Sequence, residues 1–293
     1  MKPSRRLRLE IENLEKIVAH VAPKNSERPS LKGIDIYGKS IPLYGFGGGD
    51  HIIYIDFKKR YDLRARIKKA KTKRVKRNLK LNRKKGGILI ADVMGHNTTD
   101  VLIASQLHQA FLMGASYELK AFGEITTNLF EDINTRFYKS SSIEDYITMM
   151  YGEVHENGTF RFISAAHPTP ILFSKKNNQI VDIDEKKIKK SLPIGYIPSK
   201  HNIDFKKNNN PIGFKEKYEL NEFKPMSRGD IYVLFTDGLS EHFGDSFKPN
   251  LEETLRASKD LSTARGIFNR IKKRIYEEGK PEDDISYVII KKK

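Results

Sequence analysis

Runs of consecutive apolar residues, bounded by glycine or by acidic residues, recur along the chain. Residues 52–57, 88–91, 231–236 and 285–290 are such runs, rich in Ile, Val, Tyr and Phe, and they predict buried strands. Residues 34–37 and 41–44 predict two further short strands parted by Gly38-Lys39-Ser40. Residues 146–154 and 159–165 flank His155-Glu156-Asn157-Gly158, whose Asn-Gly pair predicts a hairpin turn. Residues 170–174 and 180–183 flank Asn177-Asn178 in the same way, and Arg228-Gly229-Asp230 reads as a turn before the run at 231–236.

Elsewhere the apolar period is helical. Leu102, Ile103, Leu107, Ala110, Phe111 and Met113 mark the buried side of one helix, with Thr98-Thr99-Asp100 as cap candidates. Phe122, Ile125, Leu129, Ile133 and Phe137 mark a second. Ile267, Ile271 and Ile275 mark a third, capped by Asp260 or Ser262 and ended by Gly279. Near the start, Leu7, Ile11, Leu14, Val18 and Val21 share one helix face that stops before Pro23. That face predicts packing on the body or, alternatively, a coiled-coil contact in a homodimer. Residues 192–221 carry little pattern, and Asn208-Asn209-Asn210-Pro211 reads as a mobile loop.

Strands come early, helices in the middle, strands again, and a helix precedes the last strand. This is an α+β order with mainly antiparallel pairing and helices covering sheets. No internal repeat and no linker divides it. The expected organisation is an amphipathic helix and loop over 1–30 and one domain over 31–293 with a helical insert at 58–85.

Acidic residues stand where the apolar runs start or stop. Gly47-Gly48-Gly49-Asp50 precedes the run at 52–57, Asp92 ends the run at 88–91, Asp237-Gly238 ends the run at 231–236, and Glu282-Asp283-Asp284 opens the run at 285–290. If the first two runs pair antiparallel, Asp50 and Asp92 share an edge; if the last two do, so do Asp237 and Asp283. Four carboxylates gathered in one place repel unless a cation compensates them. Divalent Mg²⁺ or Mn²⁺ takes oxygen ligands in octahedral geometry, and two such ions can lower the pKa of a bridging water and aim it at phosphorus.

Composition narrows the picture. The chain has 293 residues and a net charge of +17, and 38% of it is hydrophobic. The charge is segregated: residues 58–85 hold 16 Lys or Arg and one acid, Asp62, a net of +15, leaving +2 for the other 265 residues. A thin apolar stripe (Leu63, Ile67, Ala70, Val75, Leu79, Leu81) predicts a helix or helical hairpin there. Its cations form a solvated face, or dock an acidic protein or phosphoprotein, or bind nucleic acid or an anionic membrane. A single aromatic, Tyr61, supplies base stacking poorly, so nucleic acid is disfavoured. There is no cysteine, which excludes disulfides and thiolate sites and leaves O and N as metal ligands. No apolar run is long enough for a membrane span and the start lacks a signal-peptide core, so a cytoplasmic protein is expected.

One set of motifs carries a family resemblance. Gly48-Gly49-Asp50, Ala91-Asp92-Val93-Met94-Gly95-His96, Ser164-Ala165-Ala166-His167-Pro168-Thr169-Pro170, Leu192-Pro193-Ile194-Gly195, Gly229-Asp230 through Phe235-Thr236-Asp237-Gly238-Leu239-Ser240-Glu241, and Asp283-Asp284-Ile285-Ser286 stand in that order. Over roughly residues 33–291 the chain resembles the SpoIIE-type, PP2C-like (PPM) serine/threonine phosphatases. The resemblance implies an αββα sandwich with two Mn²⁺ or Mg²⁺ ions at one end, held by Asp50, Asp92, Asp237, Asp283 or Asp284, and the backbone carbonyl of Val93. It implies direct hydrolysis of phosphoserine or phosphothreonine by a metal-activated water, often on a phosphorylated anti-sigma-factor antagonist in bacterial partner switching. His96 is a candidate general acid for the leaving oxygen, or a hydrogen bond fixing its turn. His167 is expected to brace a loop, and His51 to point off its strand. The chain departs from the family's pattern at Asn97, at Thr98-Thr99-Asp100 and in the basic insert, and the family's usual large sensor domain is not expected in it. The rival reading is a catalytically silent sandwich that docks an acidic partner or nucleic acid through residues 58–85.

Overall fold

Why the central strands read as unbroken apolar runs is plain from their surroundings, since both of their faces are buried. The computed structural model describes residues 22–43, 47–94, 98–138, 146–203, 205–207 and 212–293, with five isolated positions before residue 22. Its strands are β1 (Ile34–Ile41), β2 (His51–Asp56), β3 (Lys85–Val93), β4 (Ile147–His155), β5 (Phe160–Ala165), β6 (Ile171–Ser174), β7 (Gln179–Val181), β8 (Lys190–Ser191), β9 (Asn221–Phe223), β10 (Ile231–Phe235) and β11 (Ile285–Lys292). One sheet has the order β1-β11-β10-β6-β7; the other has β2-β3-β4-β5-β8, with β9 also paired to β5. All these pairings are antiparallel except the parallel β5–β8 pair.

The two sheets stack face to face. Between them Ile34, Ile36, Ile52, Tyr54, Ile88, Ile90, Tyr232, Leu234, Val288 and Ile290 form an inner apolar layer. Outside the β2–β3 sheet, Ile53, Ile55, Leu89 and Ala91 meet the helices Thr98–Ala121 and Thr127–Tyr138 through Leu107, Phe111, Leu129 and Ile133. Outside the other sheet, Val233, Phe235, Tyr287 and Ile289 meet Leu239, Leu251, Leu255, Ile267 and Ile271 of the helices Asp237–Phe243, Phe247–Ala257 and Ala264–Glu278. This is the expected αββα sandwich. Along each strand, alternate side chains go to the inner and outer layers.

Several elements differ from the sequence expectation. Residues 34–44 were expected to form two strands around Gly38; β1 instead runs straight through it. Gly38 lies opposite Val288. A Cβ on it would fall 2.5 Å from the Tyr287 carbonyl oxygen, so this glycine permits close strand packing, not a turn. Leu102 and Met113, expected on the buried side of their helix, are exposed, as is Leu81 of the insert. The buried stripe of the long helix runs through Ala104, Leu107, Phe111, Ala115 and Leu119. Phe122 and Ile125 precede the helix Thr127–Tyr138 instead of opening it. The last helix is capped by Thr263, whose hydroxyl accepts the Gly266 amide, not by Asp260 or Ser262. The helices Asp237–Phe243 and Phe247–Ala257 carried too short a periodic signal to be expected at all. The turns at Asn157-Gly158, Asn178 and Gly229 are present, with positive φ at Gly158, Asn178 and Gly229. The amphipathic face at Leu7, Ile11, Leu14, Val18 and Val21 and the loop at 208–211 lie outside the described residues. Among the described residues no helix is long and apolar enough to cross a membrane.

The irregular stretch after β8 is tied to the helix Thr127–Tyr138 by buried polar contacts. Asn134 accepts the Gly195 amide and donates to the Ile197 carbonyl. Glu131 accepts the Tyr218 amide at 2.6 Å and pairs with Lys215 at 3.2 Å. The Lys215 and Glu131 side chains are 1% and 9% exposed. Lys215→Ala is therefore expected to destabilise the protein by about 3–5 kcal/mol in urea unfolding, because it strands a buried carboxylate. Lys200→Ala, at the exposed Lys200–Glu216 pair, is expected to leave stability nearly unchanged.

Candidate metal centre

Strand parity decides which side chains face one another at the end of the sandwich. In β2, His51 pairs with Ala91 of β3, so one step further Asp50 stands opposite Asp92. Asp50 has the parity of Ile52 and Tyr54, and Asp92 that of Ile88 and Ile90, so both belong to the inner face. In the other sheet Phe235 pairs with Tyr287, and the Thr236 amide donates to the Ser286 carbonyl at 3.0 Å. Thr236, Ser286 and Asp284 share the inner parity of Leu234 and Val288. Asp237 opens a helix immediately beyond Thr236. Both antiparallel pairings inferred from sequence are found, and together they bring Asp50, Asp92, Asp237, Asp283 and Asp284 to one edge.

Hydrogen bonds hold this edge across the two sheets. The Thr236 hydroxyl donates to Asp50 Oδ2 at 2.8 Å and lies 3.3 Å from the Ser286 carbonyl oxygen. The same hydroxyl accepts the Ser286 amide at 3.0 Å, and Ser286 Oγ lies 2.6 Å from Ser40 Oγ. Asp284 accepts the Leu43 amide at 2.7 Å, and its own amide donates to Asp283 at 2.7 Å. Asp284 presses on the glycine loop so closely that a Cβ at Gly48 would lie 1.5 Å from its Oδ2. Gly238 is likewise set against the Asp284 carbonyl, 2.1 Å from where a Cβ would stand. The Val93 amide donates to the Gly49 carbonyl at 3.3 Å, joining the end of β3 to the loop that delivers Asp50. A cleft of about 250 Å³ opens beside Asp50 and Asp284, lined also by Ser40, Gly48, Val101 and Ala104.

The electrostatics are those of buried like charges. Burial first, then Asp92 and Asp284, push the Asp50 carboxyl well above the usual range, against the Thr236 and Ser286 hydrogen bonds. Burial, then Asp237, Asp283 and Asp284, push Asp92 up to about 8. Asp237 is the acidic neighbour that weighs most on Asp92, so the two resist carrying negative charge side by side. The donors are hard oxygens, which suit Mg²⁺ or Mn²⁺. Among the described residues no three acids or histidines converge tightly enough to chelate an ion as they stand. The chemistry of the donor set fits divalent cations, which would draw the carboxylates together.

The histidines take other roles. His51 points to the outer layer, where its Nε2 lies 2.9 Å from His108 Nδ1 of the long helix; burial and His108 hold its pKa down to about 3. His167 is buried with Nδ1 3.1 Å from Thr148 Oγ1, and its backbone amide and carbonyl both engage Ser164 Oγ. His96 lies outside the described residues. Sequence reasoning missed Thr236, Ser286, Ser40 and His108. A signal for the first three existed in the two-residue alternation, since Thr236 and Ser286 are polar at positions whose parity is otherwise apolar and inward.

Thr236 is expected to be the structural hinge of this edge. Thr236→Val deletes the donor to Asp50 and the acceptor for the Ser286 amide, and is expected to lower stability by about 1–3 kcal/mol. Thr236→Ser, which keeps the hydroxyl, is expected to retain most of it; chemical denaturation of both variants checks the difference.

Comparison with known proteins places this geometry. No curated protein sequence matches the chain. The RsbU and RsbW domains of a Mycobacterium tuberculosis protein superpose with a TM-score of 0.59 at 17% identity, covering 93% of this chain and 62% of that one. The PP2C phosphatase domain with a fragment of the regulatory domain of Bacillus subtilis SpoIIE gives 0.58 at 16% identity, over 89% and 64%. The chain thus spans less than two thirds of both. The SiaA-PP2C domain of Pseudomonas aeruginosa gives 0.60 at 13% identity, over 99% of each chain. These likenesses show a PP2C-like fold. The family described as Stage II sporulation protein E matches residues 82–293, so the chain belongs to the SpoIIE family.

Proposed function

We propose that the chain is a metal-dependent protein phosphatase that hydrolyses phosphoserine or phosphothreonine in bacterial signalling. The observation that carries this reading is the convergence of Asp50, Asp92, Asp237, Asp283 and Asp284 from two sheets onto one partly buried edge of a SpoIIE-family fold. We take its catalytic unit to be residues 31–293. Asp50, Asp92, Asp237 and one or both of Asp283 and Asp284, with the Val93 carbonyl, are the ligands for two Mn²⁺ or Mg²⁺ ions. Bound there, such ions would lower the pKa of a water and polarise a phosphoryl group.

The protein's own contribution is placement. Thr236 orients Asp50, and the Leu43 amide orients Asp284, so two carboxylates are fixed before any cation arrives. Asp92, whose carboxyl pKa is pushed up by burial and neighbouring acids, would be held ionised by a bound cation. The cleft beside Val101 and Ala104 admits the substrate side chain. His96, four residues beyond Asp92, is proposed to hold the proton that the leaving seryl or threonyl oxygen takes. A phosphorylated anti-sigma-factor antagonist is the proposed substrate type, in keeping with SpoIIE-family membership and the RsbU likeness. The edge is fully furnished with acids, which favours catalysis over the silent docking reading.

Two measurements test this. Saturating Mn²⁺, at about 100 times its Kd, is expected to raise stability by about 2.7 kcal/mol, with the gain abolished by chelator. Hydrolysis of p-nitrophenyl phosphate is expected to require Mn²⁺ or Mg²⁺ and to fall at least about a hundredfold in Asp92→Asn, since even indirect supports of metal ligands cost 10–100-fold. Metal-independent turnover, or an Asp92→Asn variant as active as the parent, would sink the reading.

A further inference from the structure

The basic insert is not a loose appendage. Two short helices, Leu63–Lys69 and Lys73–Leu81, fold against the C-terminal end of the long helix Thr98–Ala121. Their apolar sides are spent there, with Leu63, Val75 and Leu79 buried. Arg66 donates to both the carbonyl and the hydroxyl of Ser116, at 3.1 and 3.0 Å, and stacks over Tyr61. Asn78 and Asn82 donate to the Phe122 and Gly123 carbonyls at 3.1 and 2.9 Å, fastening the turn that follows the helix. Gly123, at φ +75°, lets the backbones meet; a Cβ there would stand 2.5 Å from the Val75 carbonyl oxygen.

The outward side is almost pure cation. Between Arg64 and Lys84, eleven Lys or Arg side chains are exposed and none has an acidic partner among the described residues. Lys73, Arg77 and Lys80 recur every three or four residues, so one side of the second helix carries a charged stripe, which Lys84 follows in the turn after it. The rest of the chain is close to neutral. Such segregation costs self-repulsion and creates a strong local field that steers an anionic partner to this face.

The surface also says which polyanion it fits. A lipid-inserting helix needs a free apolar face, and here that face is packed against the body. Single-stranded nucleic acid needs aromatic platforms, and the insert's one aromatic lies beneath Arg66. An acidic polypeptide needs neither. The insert leaves the end of β2 opposite Asp50, a separation of about 20 Å at roughly 3.3 Å per residue.

We propose that the hairpin at 58–85 is a docking site for an Asp/Glu-rich segment of the phosphoprotein substrate, separate from the phosphoryl-binding edge. This rests on the phosphatase reading and specifies its substrate class. Docking holds the phosphorylated residue near the acid edge at high effective concentration without touching the chemistry.

The test uses two phosphoserine peptides on the full chain with Mn²⁺. Both carry a 16-residue Gly/Ser spacer, which spans about 20–24 Å on average. One ends in eight Asp and Glu, the other in eight Asn and Gln. The acidic peptide is expected to show kcat/KM at least about tenfold higher, through KM, with the advantage shrinking as salt rises. In the variant Lys73→Gln, Arg74→Gln, Lys76→Gln, Arg77→Gln and Lys80→Gln the advantage should vanish, while p-nitrophenyl phosphate turnover is unchanged. Gln is about as good a helix former as Lys or Arg, and all five positions are exposed, so the fold is retained. Equal kcat/KM for the two peptides on the parent chain, or an acidic advantage that survives in the variant, overturns the proposal. Hairpin-dependent binding of a DNA duplex or of phosphatidylserine vesicles without any acidic-peptide advantage also overturns it, and reassigns the surface. If neither peptide nor p-nitrophenyl phosphate is hydrolysed, the phosphatase reading fails. Docking is then judged by fluorescence anisotropy of the labelled acidic tail, which must bind the parent and not the variant.

Discussion

Five carboxylates held at one partly buried edge are the constraint on which this structure turns. Two unit charges 4 Å apart repel by about 4 kcal/mol at an effective dielectric of 20. A hydrogen bond to a charged group returns only about 1.5–3 kcal/mol. The Thr236 hydroxyl and the Leu43 amide therefore orient Asp50 and Asp284 without neutralising the cluster. The repulsion that remains calls for cations. The architecture concentrates this cost at one end because antiparallel pairing brings strand starts and strand ends together. The remaining length of each strand is apolar on both faces, and its burial in three layers holds the edge in place.

The helical layer over the β2–β3 sheet connects the two chemically distinct ends. The long helix Thr98–Ala121 spans about 36 Å at 1.5 Å per residue. Its first turns, through Val101 and Ala104, line the cleft beside Asp50. Its middle is pinned to β2 by the His51–His108 contact, at the residue next to Asp50. The turn just past its end is held by asparagines of the basic hairpin. Negative and positive surfaces are thus fixed to opposite ends of one rigid element, so a ligand that bridges them meets a set distance.

Much of the site was legible because strand grammar is local. An acid next to an apolar run fixes where a carboxylate falls relative to its strand end, and antiparallel pairing then brings Asp50 to Asp92 and Asp237 to Asp283. The hairpin was legible for a similar reason: a thin apolar stripe amid lysines leaves few alternatives to an amphipathic helix. Other features were hidden because their meaning depends on a neighbour. Gly38 carries the same letter in a turn and in a strand that must pass close to Val288. Leu102 and Met113 are apolar yet exposed, since apolar residues are permitted on surfaces. His51 and His108 lie 57 residues apart, and only the packing of the long helix on β2 joins them.

The chain by itself determined the central strands and the longer helices, the segregation of charge and the identity of the carboxylates, because periodicity and residue chemistry act over a few residues. Tertiary structure alone decided which sheet each strand joined and which face each side chain took. It therefore decided that Thr236 and Ser286 would brace Asp50 and that Asp284 would lean on Gly48. It also set the basic hairpin against the far end of the helix that lines the cleft. Those outcomes depend on register and layer order across the whole fold, which no short stretch of sequence encodes.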